Sequence, residues 1–121
     1  PESDWAAIAA DAREALEAFA SSAACRELAR ALVLGREVPF AYPAEGRLMR
    51  GAIDLLVRVD GKLWVVDYKT DRIKPGEAAR RAAFYAPQGR AYAQAASLAL
   101  GEAAGFKVIF LRTGEAVEVT L

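Results

Sequence analysis

The sequence predicts an α/β fold in which a central mixed β-sheet is flanked by helices. Two apolar runs meet at Asp60-Gly61, a turn typical of a β-hairpin, and both faces of that hairpin are largely apolar. A sheet that is apolar on both faces is covered on both sides, as in α/β proteins. Two helical segments then precede a later apolar strand, which implies a right-handed parallel crossover. With 121 residues and 55% hydrophobic content, residues 1–121 are expected to form a single domain.

The N-terminal part of the chain predicts two helices. The first runs from about Asp4 to Ala20, with Ser3 as its N-cap and acidic residues in its early turns. Apolar residues at helical spacing form an approximate stripe along it: Trp5, Ile8, Ala12, Leu16 and Phe19. Either of the two serines at 21 and 22 can cap a second, short helix, which is expected to end near Ala31 or Leu34.

Three strands are expected next. The segment Glu37–Tyr42 is short, and Pro39 within it favours a position at the edge of the sheet. A turn at residues 43–46 leads into the two hairpin strands, which are predicted at roughly Leu48–Val59 and Lys62–Tyr68.

The hairpin register brings charged residues together. In a two-residue turn Val59 pairs with Lys62, and continuing that pairing places Asp54 directly opposite Asp67. By alternation, one face carries Ile53, Leu55, Val57, Val59, Trp64, Val66 and Tyr68, with Lys62 at the turn. The other face carries Ala52, Asp54, Leu56, Arg58, Leu63, Val65, Asp67 and Lys69. This second face is therefore apolar except for an arginine near the turn and a group of two acids and a lysine.

The C-terminal half supplies the crossover and two more strands. A short helix is predicted over Glu77–Tyr85, and Pro87 suits the first turn of a longer helix over Gln88–Ala103. Phe106–Leu111 is then a strand, and a turn leads to a last strand over Ala116–Leu121. These elements complete the mixed sheet.

Cysteine content and leader sequence narrow the class of protein. The single cysteine, Cys25, excludes an internal disulfide and a self-contained multi-cysteine zinc or iron–sulfur site, which favours the cytosol. No signal peptide is visible, and no apolar run approaches the roughly 20 residues of a membrane span. The start at Pro1 rather than at methionine suggests a domain excised from a longer chain.

Charge is balanced over the chain but uneven along it. The 16 basic and 16 acidic residues cancel, which argues against a strong stand-alone nucleic-acid binder. Between Lys69 and Arg90 six basic residues face two acidic ones, so this stretch carries +4, whereas residues 1–22 carry −4 from five acidic residues and one basic. The basic stretch begins at the acid–lysine group, although a solvated helix face would show the same pattern.

The acid–lysine group suits metal-assisted chemistry on a phosphate. Facing carboxylates roughly 4.5–5.5 Å apart should repel one another unless a cation binds between them. Mg²⁺ prefers oxygen ligands, which Asp54, Asp67 and the backbone carbonyl of Tyr68 can supply. Lys69 would place positive charge where a phosphoryl transition state gains negative charge. A solvated Asp67–Lys69 ion pair at a strand end is the alternative interpretation.

The order and spacing of these residues resemble a known family. Four motifs carry the resemblance: Glu37-Val-Pro-Phe40, Gly51-x-x-Asp54, Asp67-Tyr-Lys69-Thr-Asp71 and Gln88-x-x-x-Tyr92. Together they are similar to the PD-(D/E)xK nucleases of the RecB type, and most of all to the C-terminal nuclease domain of AddA-type helicase–nucleases. The resemblance covers residues 37 to about 92, and it implies a restriction-endonuclease-like core.

The resemblance implies residue roles as well. Mg²⁺, with Mn²⁺ as a substitute, would support cleavage of DNA phosphodiesters, with Asp54 and Asp67 as metal ligands and Lys69 as the catalytic lysine. Gln88 and Tyr92, four apart on one helix face, would contact the substrate or organise the acids. A capping glutamine and a core tyrosine are the ordinary alternative for these two residues.

Glu37 matches the upstream acid of the family. It would act as a supporting acid that assists the metal site through water, or it would pair with an arginine on the surface. The chain departs from the family pattern elsewhere, because it contains no histidine, whereas many members use one as a metal ligand. Cys25 alone cannot hold the iron–sulfur cluster found around this domain in some relatives.

The resemblance also implies partners. The chain would be the exonuclease module of a helicase–nuclease that processes DNA double-strand breaks for recombinational repair in the bacterial cytosol, without membrane contact. The sequence lacks a Gly-x4-Gly-Lys-Ser/Thr phosphate loop, so the helicase motor would lie elsewhere in a longer polypeptide, and a second helicase–nuclease subunit is expected. Two alternatives stay open: a non-catalytic DNA-binding or assembly module on the same fold, and another metal-dependent DNA endonuclease.

Overall fold

The computed structural model describes residues 2–121, except for the side chains of Glu2 and Ser3. The Ser3 cap predicted from the sequence therefore lies outside the described residues. In chain order the elements are α1 Glu2–Ala20, α2 Ala23–Ala29, β1 Leu32–Ala44, β2 Arg47–Val59, β3 Lys62–Lys69, α3 Ala78–Ala83, α4 Ala86–Leu100, β4 Ala104–Phe110 and β5 Glu115–Val119. None of the described helices is long and apolar enough to cross a membrane.

The strands form one mixed sheet with the spatial order β1-β2-β3-β4-β5. Neighbouring strands are antiparallel except for β3 and β4, which are parallel and are joined through α3 and α4. This arrangement follows from chemistry already visible in the sequence, because a two-residue turn can join only antiparallel strands whereas parallel strands need a crossover. The predicted mixed sheet with flanking helices is confirmed.

Two hydrophobic layers cover the two faces of the sheet. The first lies against α3 and α4 and contains Ile53, Leu56, Leu63, Val65, Ala78, Ala82, Ala96, Phe106, Val108 and Phe110. The second lies against α1 and α2 and contains Ala24, Leu55, Val57, Trp64, Val66 and Ile109, with Phe19 and Leu28 packed at its margin. Burial of both faces explains why alternate positions of β3 are all apolar before Asp67.

Glycine allows α4 to pack closely on the sheet. A Cβ atom at Gly89 would collide with the ring of Phe106 on β4, so this position admits no side chain without movement of the helix. Gln88 immediately precedes it, and Tyr92 follows three residues later on the same helix. The depth at which α4 sits therefore depends on the hydrogen at residue 89.

Ion pairs fasten α1 and α2 to the rest of the fold. The Arg112 guanidinium donates two hydrogen bonds of 2.6 Å to the Asp11 carboxylate, and its Nε donates to the carbonyl oxygen of Thr70 at 2.7 Å. On β4, Lys107 is buried and donates from Nζ to Glu27 Oε1 of α2 at 2.8 Å. These contacts hold both N-terminal helices on the face of the sheet that carries Tyr68.

The predicted stripe of α1 does not form its packed face. Trp5, Ile8 and Leu16 are 72%, 59% and 59% exposed, and Ala12 is exposed as well. Of the stripe, only Phe19 packs at a core, where its ring meets Tyr68 edge-on with a centroid distance of 6.0 Å. The inward face of the helix is instead made by its small residues and by the ion-paired Asp11, with Ala15 fully buried.

The boundary between α2 and β1 also differs from the prediction. Ser22 is the N-cap, since its hydroxyl accepts the Cys25 backbone N–H at 3.1 Å, but the helix ends at Ala29. Residues 32–34, which the prediction left to the helix, begin a strand that pairs with the far end of β2. Cross-strand pairing with Arg58 and Val57 outweighs the local helical tendency of this leucine-rich segment.

Candidate active site

The hairpin register is as predicted from the turn, but the ladder stops short. Pairs run from Val59–Lys62 to Leu55–Val66, and the turn residue Asp60 has the positive φ of 50° that such a turn requires. The next residues, Asp54 and Asp67, do not continue the paired ladder. The two strands therefore part at the position of the two acids.

Asp67 lies inside the fold, with only 3% of its surface exposed. Lys69 lies two residues further along the same face of β3 and places its Nζ 2.8 Å from Asp67 Oδ2. Burial raises the pKa of Asp67; the ion pair with Lys69 opposes this effect, and the neighbouring Asp54 carboxylate adds to it. The side chains of the ion pair are 4% and 19% exposed, so the pair is not the solvated strand-end contact of the alternative interpretation.

The Lys69 ammonium is held by three groups. Besides Asp67, its Nζ donates to Gln88 Oε1 at 3.0 Å, and it lies 4.2 Å from the ring centroid of Tyr85. Burial alone would lower the pKa of Lys69, but the ion pair with Asp67 outweighs burial and the pKa is raised. Gln88 in turn donates from Nε2 to the Tyr92 hydroxyl at 3.0 Å. The structure thus joins four of the predicted site residues in one chain of contacts.

Asp54 takes the place of a main-chain acceptor. Its Oδ2 accepts the Tyr68 backbone N–H at 2.9 Å, where a regular ladder would provide a carbonyl oxygen of β2. Main-chain groups alternate in direction along a strand, and the Lys69 carbonyl oxygen accepts from Leu111 next to β4. The Tyr68 carbonyl therefore points to the β2 side, beyond the last paired residue and towards the two acids.

Glu37 faces Asp54 across the neighbouring pair of strands. The β1–β2 register runs through Arg36–Leu55 and Val38–Ile53 and leaves Glu37 and Asp54 unpaired between them. Glu37 has φ of 48°, a left-handed conformation that non-glycine residues rarely adopt within a strand. Such strain in mid-strand is typical of a functional position.

The irregularity at Glu37 and Asp54 also overturns part of the predicted face pattern. Ile53 packs with Leu56 in the layer against α3 and α4, whereas Leu55 packs in the opposite layer. The prediction that Ile53 shares a face with Leu55 is therefore wrong. Strict alternation fails because β2 shifts its phase where Asp54 turns towards β3.

A further group of residues supports the site. The Asp71 carboxylate accepts hydrogen bonds of 2.6 Å from the Tyr85 hydroxyl and from Arg81 Nε. The Arg81 and Tyr85 contacts lower the pKa of Asp71 in spite of partial burial, which acts the other way. They fix the Tyr85 ring against Lys69, a role that the sequence pattern did not predict. The available signal was the position of Tyr85, three residues before Gln88, which puts both on one helical face.

The donor set fits a hard divalent cation. Asp67 Oδ2 is shielded from solvent, and among the described residues no donor reaches it in hydrogen-bonding geometry, even though Lys69 Nζ is at ion-pair distance. Asp54, Asp67 and the Tyr68 carbonyl offer only oxygen atoms, which Mg²⁺ and Mn²⁺ accept. Within residues 2–121 no cluster of three or more His, Cys, Asp or Glu side chains forms a site. A metal held here would keep water or phosphate oxygens as its remaining ligands.

The sheet order, the crossover and the acid–lysine group define a chain with a restriction-endonuclease-like fold. Comparison with known families agrees with this class, since the PD-(D/E)XK nuclease superfamily matches residues 2–119. The chain belongs to the PD-(D/E)XK nuclease superfamily, and the resemblance found in the sequence is confirmed.

Curated proteins give a more specific likeness. The chain is 36% identical over 106 residues to an ATP-dependent helicase/nuclease subunit of the AddA type from Desulforudis audaxviator (strain MP104C), a match that covers 75% of this chain and 9% of that protein. It is also 36% identical over 75 residues to the protein of the same name from Bacillus pumilus (strain SAFR-032), covering 51% of this chain and 6% of that protein. The chain thus spans less than a tenth of the length of these relatives.

Proposed function

We propose that this chain is the nuclease module of a helicase–nuclease and that it hydrolyses DNA phosphodiester bonds with Mg²⁺. The observation that carries the proposal is the contact chain Asp67–Lys69–Gln88–Tyr92, which lies beside Asp54 where two strands part. Structural ion pairs need no such opening of a ladder. Two carboxylates, an immobilised ammonium and a strand opening serve phosphate chemistry better than they serve stability.

Each residue has a distinct role in the proposed reaction. Asp54, Asp67 and the Tyr68 carbonyl would hold Mg²⁺, which when bound activates water and polarises the phosphate. Lys69 places its charge beside a non-bridging phosphate oxygen and stabilises the negative charge that grows there in the transition state. Gln88 orients Lys69, and Tyr92 orients Gln88 through the hydrogen bond to its amide nitrogen.

Glu37 is proposed as a supporting acid. Its side chain is exposed, and its strained backbone lies across from Asp54 rather than next to Asp67. A carboxylate in that place can hold a water molecule of the metal shell without being a ligand itself. We do not assign it a direct role in bond cleavage.

The wider role rests on the relatives. Their name, which describes a subunit of an ATP-dependent helicase/nuclease, supports a DNA substrate, a helicase motor in the same longer polypeptide and a second subunit. We propose processing of double-strand breaks for recombinational repair in the bacterial cytosol as the setting. An exonuclease suits that role because a break presents a DNA end.

The central test compares the wild-type chain with Asp67→Ala on end-labelled linear DNA, with Mg²⁺, with Mn²⁺ and with a chelator. Cleavage is expected only for the wild type with metal, and Glu118→Gln, an exposed acid on β5, serves as the matched control with full activity. Equal residual cleavage in every condition would contradict the proposed site. Covalently closed circular DNA tests the exonuclease, since only an endonuclease would cut it.

A non-catalytic module on the same fold is the second candidate. The absence of histidine from the chain favours it, because many relatives in this superfamily use a histidine ligand. Calorimetric titration separates the two candidates without requiring DNA cleavage. Binding of Mg²⁺ or Mn²⁺ that is lost in both Asp54→Ala and Asp67→Ala supports the enzyme, and no binding to the wild type supports the non-catalytic module.

A further inference from the structure

A cleft of about 520 Å³ opens beside Asp54 on the face of the sheet that carries α1 and α2. Its walls come from α1, α2 and the first two strands, and its lining includes Phe19, Cys25, Leu28, Arg36, Leu55 and Tyr68. Asp54 and Glu37 stand among the lining residues. The cleft and the proposed catalytic site therefore share Asp54, but Lys69 and Gln88 lie across the sheet from it.

The lining is apolar at its base and charged at the strand opening. Leu55 is buried beneath it, and the Tyr68 ring is fixed edge-on against Phe19. Arg36 is the only cation among the described lining residues, and within residues 2–121 no carboxylate pairs with it at ion-pair distance. An apolar cavity with an aromatic wall and a few charged groups is the usual form of a site for an aromatic ligand.

We propose that this cleft binds one unpaired nucleobase of the DNA strand being cut, next to the phosphate at Asp54. The proposal rests on the proposed function, and it names a subsite and a positioning residue for it. The strand would cross the open end of the hairpin, with its phosphate between the two acids and Lys69. One neighbouring base would enter the cleft against the Tyr68 ring, and Arg36 would bind the flanking phosphate.

Size and charge favour a nucleobase over other occupants. Ligand cavities of about 300–1,000 Å³ are typical for molecules of nucleoside size. Bases stack on aromatic side chains without regard to sequence, and arginine supplies the charge that a phosphate needs. A base inside a duplex is already stacked and paired, so it would have to be flipped out before entering. The subsite should therefore prefer a single-stranded end.

Cys25 provides a direct readout, because it lines the cleft and is the single cysteine of the chain. The experiment measures how fast a maleimide reagent modifies Cys25 in a chelator, with oligothymidylate or a blunt duplex of equal length present. Single-stranded DNA is expected to slow modification several-fold, and the duplex to have little effect. Asp67→Ala should keep this protection while losing cleavage, so the subsite and the catalytic proposal can fail separately.

Two variants make the test specific to the cleft. Ala29→Trp would fill the cleft from an exposed position of α2 and should abolish protection by oligothymidylate, whereas Ala99→Trp on an exposed position of α4 should not. Arg36→Ala should shift protection to higher oligonucleotide concentration, about tenfold, and should reduce its salt dependence by about one phosphate contact. Unchanged modification at all oligonucleotide concentrations, equal protection by duplex, or full protection in Ala29→Trp would overturn the proposal.

Discussion

The Asp54 carboxylate accepts the backbone N–H of Tyr68 at 2.9 Å, at the point where β2 and β3 would otherwise exchange main-chain hydrogen bonds. A side chain thus replaces a carbonyl oxygen in the ladder. The exchange keeps the Tyr68 N–H satisfied while the strands separate. It also leaves Asp54 turned towards Asp67, where both carboxylates can serve one ligand.

Asp54 should therefore have separable roles in stability and in metal binding. Asp54→Ala leaves the Tyr68 N–H without its acceptor, and we expect a loss of about 1–3 kcal/mol in the free energy of unfolding. Asp54→Asn keeps an acceptor oxygen and should lose much less stability, yet both variants should lose Mg²⁺ binding. Urea denaturation and calorimetric metal titration check the two effects. Equal destabilisation by both variants would contradict the structural role.

Gln88 is expected to act by positioning Lys69 rather than by binding DNA. Gln88→Ala should lower kcat about 10- to 100-fold with little change in KM, because a misplaced catalytic group costs rate rather than substrate affinity. Gln88→Glu should recover part of the loss, since a carboxylate can still accept from Lys69. Gln94→Ala, on an exposed position of the same helix, is the matched control. A change confined to KM would show that Gln88 contacts the substrate instead.

Gly89 should limit how α4 approaches the sheet. Gly89→Val introduces a side chain that collides with the Phe106 ring, and we expect a destabilisation of about 1–3 kcal/mol from overpacking. The displaced helix should also move Gln88 away from Lys69 and lower cleavage. Ala99→Val, an exposed position on α4, controls for the lower helix propensity of valine. Thermal denaturation and cleavage assays measure both effects, and equal stability of the two variants would refute the close-packing argument.

The ion pair between Asp11 and Arg112 should make part of the stability depend on pH. The hydrogen bonds from Arg112 lower the pKa of Asp11 from 3.8 to about 2. A lowered folded-state pKa stabilises the fold above pH 3.8, and this stabilisation is lost as the pH falls to about 2. Asp11→Asn should therefore have a lower Tm than the wild type near neutral pH and an equal Tm near pH 2. A Tm difference that does not change with pH would exclude the carboxylate charge as its cause.

Local patterns in the sequence predicted the parts of the site that depend on local geometry. The Asp60-Gly61 turn sets the register of β2 and β3, and so brings Asp54 near Asp67. The four-residue spacing of Gln88 and Tyr92 likewise predicted a shared helix face, and their side chains are in contact. Both predictions rest on the period of a single element or a single tight turn, which neighbouring elements alter little.

The missed features depend on contacts between elements. The phase shift at Ile53 needs both the left-handed Glu37 on β1 and the turn of Asp54 towards β3, and neither strand alone shows it. The exposed side of α1 was missed because helix docking is decided by Asp11 and its arginine partner, which is 101 residues away in sequence. Apolar periodicity gives the direction of a stripe but not the surface that it faces.

The origins of the four contacting site residues have a consequence for how activity arises during folding. Asp54 and Asp67 meet within one hairpin, which forms on a timescale of about microseconds, whereas Gln88 reaches Lys69 only after the parallel crossover to β4 has closed. Non-local pairings of that kind form late because loop-closure entropy must be overcome first. A nascent or partly folded chain would therefore carry the acids without an oriented lysine. Cutting competence would arrive only with the finished crossover, which spares DNA from an immature enzyme.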